Sequence, residues 1–236
     1  MREHVYGRNA VREAIRGRRR VHEVWATERA AEIEVWLSEP DTPRVHVKAE
    51  RELSQVAHTR EHQGLLAWVD PFPYADAYEL AAVDSPLIAC LDQVTNPRNL
   101  GAVVRAAAGA GATGVVVPAH GSARVTADVC RASAGAIEHL PVAVVTNLAR
   151  FLEEIKRDDL WIYAADGRAE KSYWDADLSG GTVLVFGAEK RGLRPLVRRR
   201  CDDAISIPLV GEVESLNVGV AAAVLLYEAA RQRRHG

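Results

Sequence analysis

At 236 residues, with 48% apolar and 26% charged side chains, the chain has the make-up of a folded protein with a core, which excludes a disordered polypeptide. The charged start MREHVYGRNAVREAIRGRRR lacks the apolar centre of a signal peptide, and no later apolar run reaches membrane-spanning length, so a cytoplasmic protein is expected. A net charge of −2 argues against a uniformly basic nucleic-acid binder, yet seven arginines (Arg2, Arg8, Arg12, Arg16, Arg18, Arg19, Arg20) crowd the first twenty residues against two glutamates. A second basic block is Lys190, Arg191, Arg194, Arg198, Arg199 and Arg200. Either block could grip phosphate or simply form a solvated helix face. Cys90, Cys130 and Cys201 form no CxxC pair and read as buried thiols of a reducing compartment.

Along the chain, VHEVWA, RVHVK and GLLAWV have the pattern of short strands, and RAAEIEVWLSE and ERELSQVA that of helices between them. The stretch from Asp70 to Pro86 is rich in proline and aspartate and lacks a sustained period, which marks a linker. Domains are therefore expected at 1–72 and 85–236, joined by 73–84. The second begins with the strand PLIACLD, the helix PRNLGAVVRAAAGAG, the strand TGVVVP and a helix near Ala127 to Gly135. The strands PVAVV, LWIYAAD, TVLVFG and DAISIPL follow, with helices around Asn147 to Arg157, Leu193 to Arg200 and Asn217 to Arg234. Nearly continuous apolar strands between helices predict an α/β fold whose sheet is mainly parallel and covered on both faces.

Gly109, Gly111 and Gly114 spell GxGxxG, with Asp128 downstream as a candidate ribose-binding acid. A dinucleotide fingerprint requires a strand before the glycines and a helix after them, whereas here a helix precedes and a strand follows. The glycines are better read as a helix end and a turn, which weakens a dehydrogenase reading.

Three segments gather polar residues at strand ends, where open α/β sheets bind ligands: LDQVTNPRNLGAVVRAA at 91–107, VLVFGAEKRGL at 183–193 and ISIPLVGEVESLNVGVAAAVLLYEA at 205–229. Asn96 and Pro97 read as a helix N-cap followed by proline at the first helical position. Arg105 lies among Val103, Val104, Ala106 and Ala107, on a helix that should pack tightly, and a buried arginine needs an anionic partner. Gly187 lets the backbone approach a ligand beside the carboxylate of Glu189, though an ordinary turn would use the same residues. Ser215 or Asn217 could do no more than cap the helix that follows.

Together and in this order, the three segments resemble the motifs of the SpoU/TrmH (SPOUT) family of RNA ribose 2′-O-methyltransferases. YGRNAVREAI and HQGLLAWV resemble the small module, similar to a ribosomal protein, that precedes the catalytic domain in bacterial 23S rRNA guanosine methyltransferases. The resemblance implies a trefoil-knotted catalytic domain, S-adenosylmethionine as cofactor, RNA and most of all 23S rRNA as partner, and a homodimer. It implies neither a metal nor DNA or membrane binding. Asn99, Arg105, Glu189, Ser215 and Asn217 match the family's catalytic positions, and Gly187, Ile207 and Leu216 its cofactor contacts. Arginine stays protonated, so Arg105 is expected to stabilise an alkoxide and phosphate. Glu189, a phosphate oxygen or water remains open as proton acceptor. Alternatives are a tRNA ribose methyltransferase, an rRNA adenosine methyltransferase that confers resistance, and a non-catalytic ribosome-assembly factor.

Overall fold

The computed structural model describes residues 2–188 and 191–235. The N-terminal part runs β1 (Glu3–Tyr6), α1 (Arg8–Arg16), β2 (Val21–Ala26), α2 (Glu28–Ile33), β3 (Val45–Val47), α3 (Glu50–Ala57) and β4 (Leu65–Val69). There follow α4 (Ala77–Ala82), β5 (Leu87–Asp92), α5 (Pro97–Gly109), β6 (Gly114–Pro118), α6 (Ala127–Ala132), β7 (Val142–Val145) and α7 (Leu148–Glu154). The chain closes with β8 (Leu160–Ala165), β9 (Gly181–Gly187), α8 (Pro195–Arg200), β10 (Asp203–Ile205) and α9 (Val218–His235). Two compact units result: Met1–Pro73 with Arg124–His139, and Tyr74–Ala123 with Leu140–Gly236.

The first unit is a four-stranded sheet in the order β1-β4-β2-β3, antiparallel except for the β2–β3 pair. Alternation along β1, β2 and β4 puts Val5, Val24, Ala67 and Val69 on one face, while Tyr6 and Leu66 face Leu53 and Ala57 of α3 on the other. Ala10, Val11 and Ala14 are the buried stripe of α1. The segment 124–139 belongs to this unit through side chains that satisfy one another. Tyr6 donates to Asp128, and the Arg19 guanidinium meets Glu138 with both residues almost wholly buried. Arg19 therefore fits neither reading of the N-terminal basic block, a phosphate grip or a solvated helix face. A buried guanidinium is tolerable only because a carboxylate offsets its lost hydration.

The second unit is a six-stranded sheet, entirely parallel, in the order β10-β8-β9-β5-β6-β7. All six residues of β5 are buried, as a central strand covered on both faces requires. On one face Ile88, Val116, Ile162 and Val183 pack with Leu148, Phe151 and Leu152 of α7 and Val197 of α8. Helices α5 and α9 pack on each other, with α9 also against β5 and β9. The chain builds outward from β5 through β6 to β7, then returns to lay β9 on the other side of β5. Strand order thus reverses at β5, where ligands collect at the carboxyl ends.

Differences from the sequence reading are local. The stretch read as a linker contains α4, capped by Asp76 and burying Ala77, Leu80 and Ala81; it is too short to display a helical period. The strand expected in DAISIPL spans only Asp203–Ile205, and the chain leaves the sheet before Pro208, which has no N–H to give a ladder. β1 had too few residues to announce itself. Gly109 ends α5 and Gly111 turns at φ +73° before β6, which is the helix–turn–strand order that removed the dinucleotide fingerprint. The three cysteines are free and buried, and burial pushes the Cys130 and Cys201 thiols up to about 12.

Candidate active site

Two clefts open at the carboxyl ends of the parallel strands. The first encloses about 720 Å³ and is bounded by the ends of β8, β9 and β10 and by α9. Its sides are Ile205, Ile207, Leu209, Leu216 and Leu225, with Asp166, Glu214 and Ser215 as polar groups. Gly187, at the end of β9, contributes because the backbone doubles back on it. A Cβ there would lie 2.2 Å from the Gly192 carbonyl carbon and 2.4 Å from the Leu193 nitrogen. Ala188 and Gly192 exchange backbone hydrogen bonds of 3.2 and 2.8 Å, and Gly192 adopts φ +65°. The close approach at 187 admits only glycine, and glycine at 192 takes its left-handed conformation without strain.

The second cleft, of about 870 Å³, shares Ala188 and Val218 with the first. Gln93, Val94, Thr95, Asn96 and Asn99 line it from the β5–α5 loop and the first turn of α5, opposite Gly121 and Arg191. Asn96 caps α5 by accepting from the Arg98 N–H at 2.9 Å, and Pro97 occupies the first turn. Asn217 lines neither cleft but lies between Leu216 of the first and Val218 of both, and bonds to Asn99 of the second. Its Nδ2 donates to Asn99 Oδ1 at 3.0 Å, while its Oδ1 accepts from the Gly219 N–H at 2.9 Å at the start of α9. The capping role weighed for Asn217 and the pairing with Asn99 therefore coexist in one side chain.

Of the residues singled out in the sequence, Gly187, Ile207, Ser215 and Leu216 line the first cleft, and Asn99 the second. Glu189 and Lys190 lie outside the described residues. Arg105 departs from expectation: it is exposed and lines neither cleft. Six residues along a helix advance about 240° beyond a full turn, so burying Asn99, Val103 and Val104 turns Arg105 outward. The anionic partner that a buried arginine would require is therefore not demanded here.

The sequence reading passed over Asp92. Fully buried at the end of β5, its carboxylate accepts from the Arg194 backbone N–H at 2.8 Å and Nε at 2.8 Å, with Nη2 at 2.7 Å. This ties the loop after β5 to the turn after β9, and so fixes walls of both clefts. Its signal was an acid closing an otherwise apolar strand. Among the described residues no cluster of His, Cys, Asp and Glu could hold a metal ion, and no helix is long and apolar enough to cross a membrane.

Comparison with known proteins gives this architecture a class. Residues 86–227 match the SpoU rRNA Methylase family, and residues 4–75 match the family described as RNA 2'-O ribose methyltransferase substrate binding. The 23S rRNA (guanosine-2'-O-)-methyltransferase RlmB of Pseudomonas putida is 40% identical over 241 residues, covering 98% of this chain and 97% of that one. The protein of the same description from Xanthomonas axonopodis pv. citri is 44% identical over 198 residues, 82% of this chain and 78% of that one. The crystal structure of the SpoU methyltransferase AviRb from Streptomyces viridochromogenes, in complex with AdoMet, matches with TM-score 0.84 and 27% identity. The match covers 99% of this chain and 91% of that one. Fold, paired clefts and relatives define an RNA methyltransferase built on a parallel α/β sheet. The chain belongs to the SpoU rRNA methylase family.

Proposed function

We propose that this protein transfers a methyl group from S-adenosylmethionine to the ribose 2′-hydroxyl of a guanosine in 23S rRNA. The observation that carries this reading is the contact between its two clefts, one mostly apolar and one polar, through Ala188 and Val218 and across the Asn99–Asn217 pair. The relatives named as 23S rRNA guanosine methyltransferases support the substrate.

The first cleft suits the cofactor. Its apolar sides give an adenine and a methylene chain dry walls, while strand-end backbone groups, Asp166, Glu214 and Ser215 offer hydrogen-bond partners. Gly187, Ile207 and Leu216 are assigned to holding it. When bound, S-adenosylmethionine supplies a methyl group on a positively charged sulfur with a neutral leaving group, so no metal is needed.

The chain's own work is positioning. Asn99 and Asn217 present amides at the seam of the clefts and orient the ribose, with Ser215 beside them. Arg105, exposed on α5, is assigned to the RNA, where a guanidinium offsets phosphate charge and the negative charge that develops on the attacking oxygen. Glu189 completes the catalytic set as a candidate proton acceptor. The N-terminal module, similar to a ribosomal protein, binds the RNA, and a trefoil-knotted chain frames the cofactor site. A homodimer forms through the catalytic unit, supported by Val220 and Tyr227 exposed on the otherwise packed α9. Free thiols suit a cytoplasmic enzyme. Unpaired RNA presents the 2′-hydroxyl most freely, so a loop nucleotide is the target.

Incubation with labelled S-adenosylmethionine and separated rRNA and tRNA, followed by mapping of the modified ribose, tests the reading. Label at a 23S rRNA guanosine is the expected result. Label in tRNA alone would move the substrate, and no label in any RNA would sink the proposal.

A further inference from the structure

Gln93 follows the anchored Asp92 and lines the second cleft with its backbone at φ +61°, a conformation rare for a side chain of this kind. Outliers of this sort persist where surrounding structure over-determines them. The constraint is visible one residue earlier, where the Asp92 carboxylate takes its three contacts from Arg194. Across the cleft, Gly121 turns at φ +73°, and a Cβ placed on it would lie 3.7 Å from Gln93 Nε2. The amide therefore reaches from the loop after β5 to the loop after β6. Among the described residues it has no hydrogen-bond partner, so a donor and an acceptor stand unspent in a polar cleft.

We propose that Gln93 reads the base of the target nucleotide, and that the second cleft receives that nucleoside unstacked from the RNA. The inference rests on the RNA methyl transfer proposed above and adds the determinant of base choice. A terminal amide can donate to guanine O6 while accepting from guanine N1–H, a bidentate match of the kind amides make with base edges. Thr95 and Asn96 add polar groups on the same wall, and Arg191 a cation for the phosphate. The ribose would then lie toward Ala188 and Val218, beside the first cleft and the Asn99–Asn217 pair. Reading an extruded base by its hydrogen-bonding edge is a common solution for enzymes that act on single nucleotides.

The test uses the full-length protein, an in vitro transcript of 23S rRNA, and a second transcript carrying adenosine at the mapped methylation position. Cofactor binding is followed separately by calorimetry with S-adenosylmethionine. Gln93→Ala is expected to lower kcat/KM for the transcript about tenfold or more while cofactor affinity changes less than about twofold. Gln93→Glu, which only accepts, is expected to keep the guanosine transcript, whose N1–H and N2–H groups donate, and to reject the adenosine one more strongly than wild type. Gln93→Gly adopts φ +61° freely and serves as a second truncation if alanine unfolds the loop; it should lose transfer as alanine does. Unchanged kcat/KM in a folded truncation overturns the proposal. So does a loss of cofactor binding that parallels the loss of transfer. Transfer by neither wild type nor variants would instead remove the methyltransferase reading, and this inference with it.

Discussion

Asn217 spends both ends of one amide: Nδ2 donates to Asn99 Oδ1 at 3.0 Å and Oδ1 accepts from the Gly219 N–H at 2.9 Å. Asn217→Ala removes both bonds, and losing a cap and a side-chain bond costs about 2 kcal/mol in all. Asn217→Asp keeps the capping oxygen toward Gly219 and replaces the Nδ2 donor to Asn99 with a charged acceptor. Stability should then fall by less than in the alanine variant, because the cap survives, while the donor to Asn99 is lost and a charge added. Urea denaturation beside a transfer assay separates the two. The aspartate variant should be stable and inactive, and an active one would remove the Asn99–Asn217 polarity from the mechanism.

Arg105 offers the opposite case, a side chain whose proposed work is outside the fold. It is exposed and lines neither cleft, so Arg105→Ala should change stability by no more than about 0.5 kcal/mol. Affinity for S-adenosylmethionine should hold, because the assigned partner is RNA, while transfer should be abolished. Arg105→Lys keeps the charge without the planar fork and should recover only part of the rate. Near-normal turnover in the alanine variant would take Arg105 out of the site.

The Asp92–Arg194 pair should respond asymmetrically. Asp92 is fully buried, whereas the Arg194 side chain is 42% exposed. Arg194→Ala strands a carboxylate with only the backbone N–H of residue 194 to answer it, and an uncompensated buried charge costs about 3 kcal/mol. Asp92→Asn leaves the guanidinium free to turn toward water and keeps an oxygen for that N–H, so it should cost less. Thermal unfolding gives the order. Both variants should also weaken cofactor binding, since the pair anchors the turn through Gly187 and Gly192. Equal costs, or intact affinity, would show that the pair does not hold the cleft.

The parallel sheet was legible because fully buried strands are written as unbroken apolar runs: LIACLD, GVVVP and TVLVFG each coincide with a strand. Elements without room for a period were not, and α4 and β1 fall in that class. In the site, Gly187 at the end of β9, Ile207 just after β10, and Ser215 and Leu216 just before α9 share a cleft at neighbouring strand ends. The orientation of Arg105 depended on which stripe of α5 the sheet would bury, and its valines and alanines leave several stripes possible. Asp92 was hidden for a different reason. A buried carboxylate makes sense only once Arg194, 102 positions away, is seen to meet it.

His62 supplies a pH dependence with a definite sign. It is 1% exposed; its Nδ1 accepts from the Gly64 N–H at 3.1 Å, which leaves the proton on Nε2 for the bond of 2.9 Å with Ser54 Oγ. The neutral ring is therefore the form built into the α3–β4 connection. Burial holds its pKa below the ordinary 6.5, against a weaker upward pull from Glu50. His4 is lowered likewise, by burial first and by His58 second. For groups depressed in this way the unfolded chain takes up protons first, so stability is level above about pH 6.5 and declines as pH falls through the interval down to the folded values. Urea midpoints measured from about pH 8 to pH 5 should show this decline with an unchanged slope m. His62→Asn, whose Oδ1 can stand in for Nδ1 toward Gly64, should flatten part of it and leave the share owed to His4. A midpoint that rises toward pH 5 in the wild type would mean that His62 is charged in the fold, and that the Gly64 bond is not made as described.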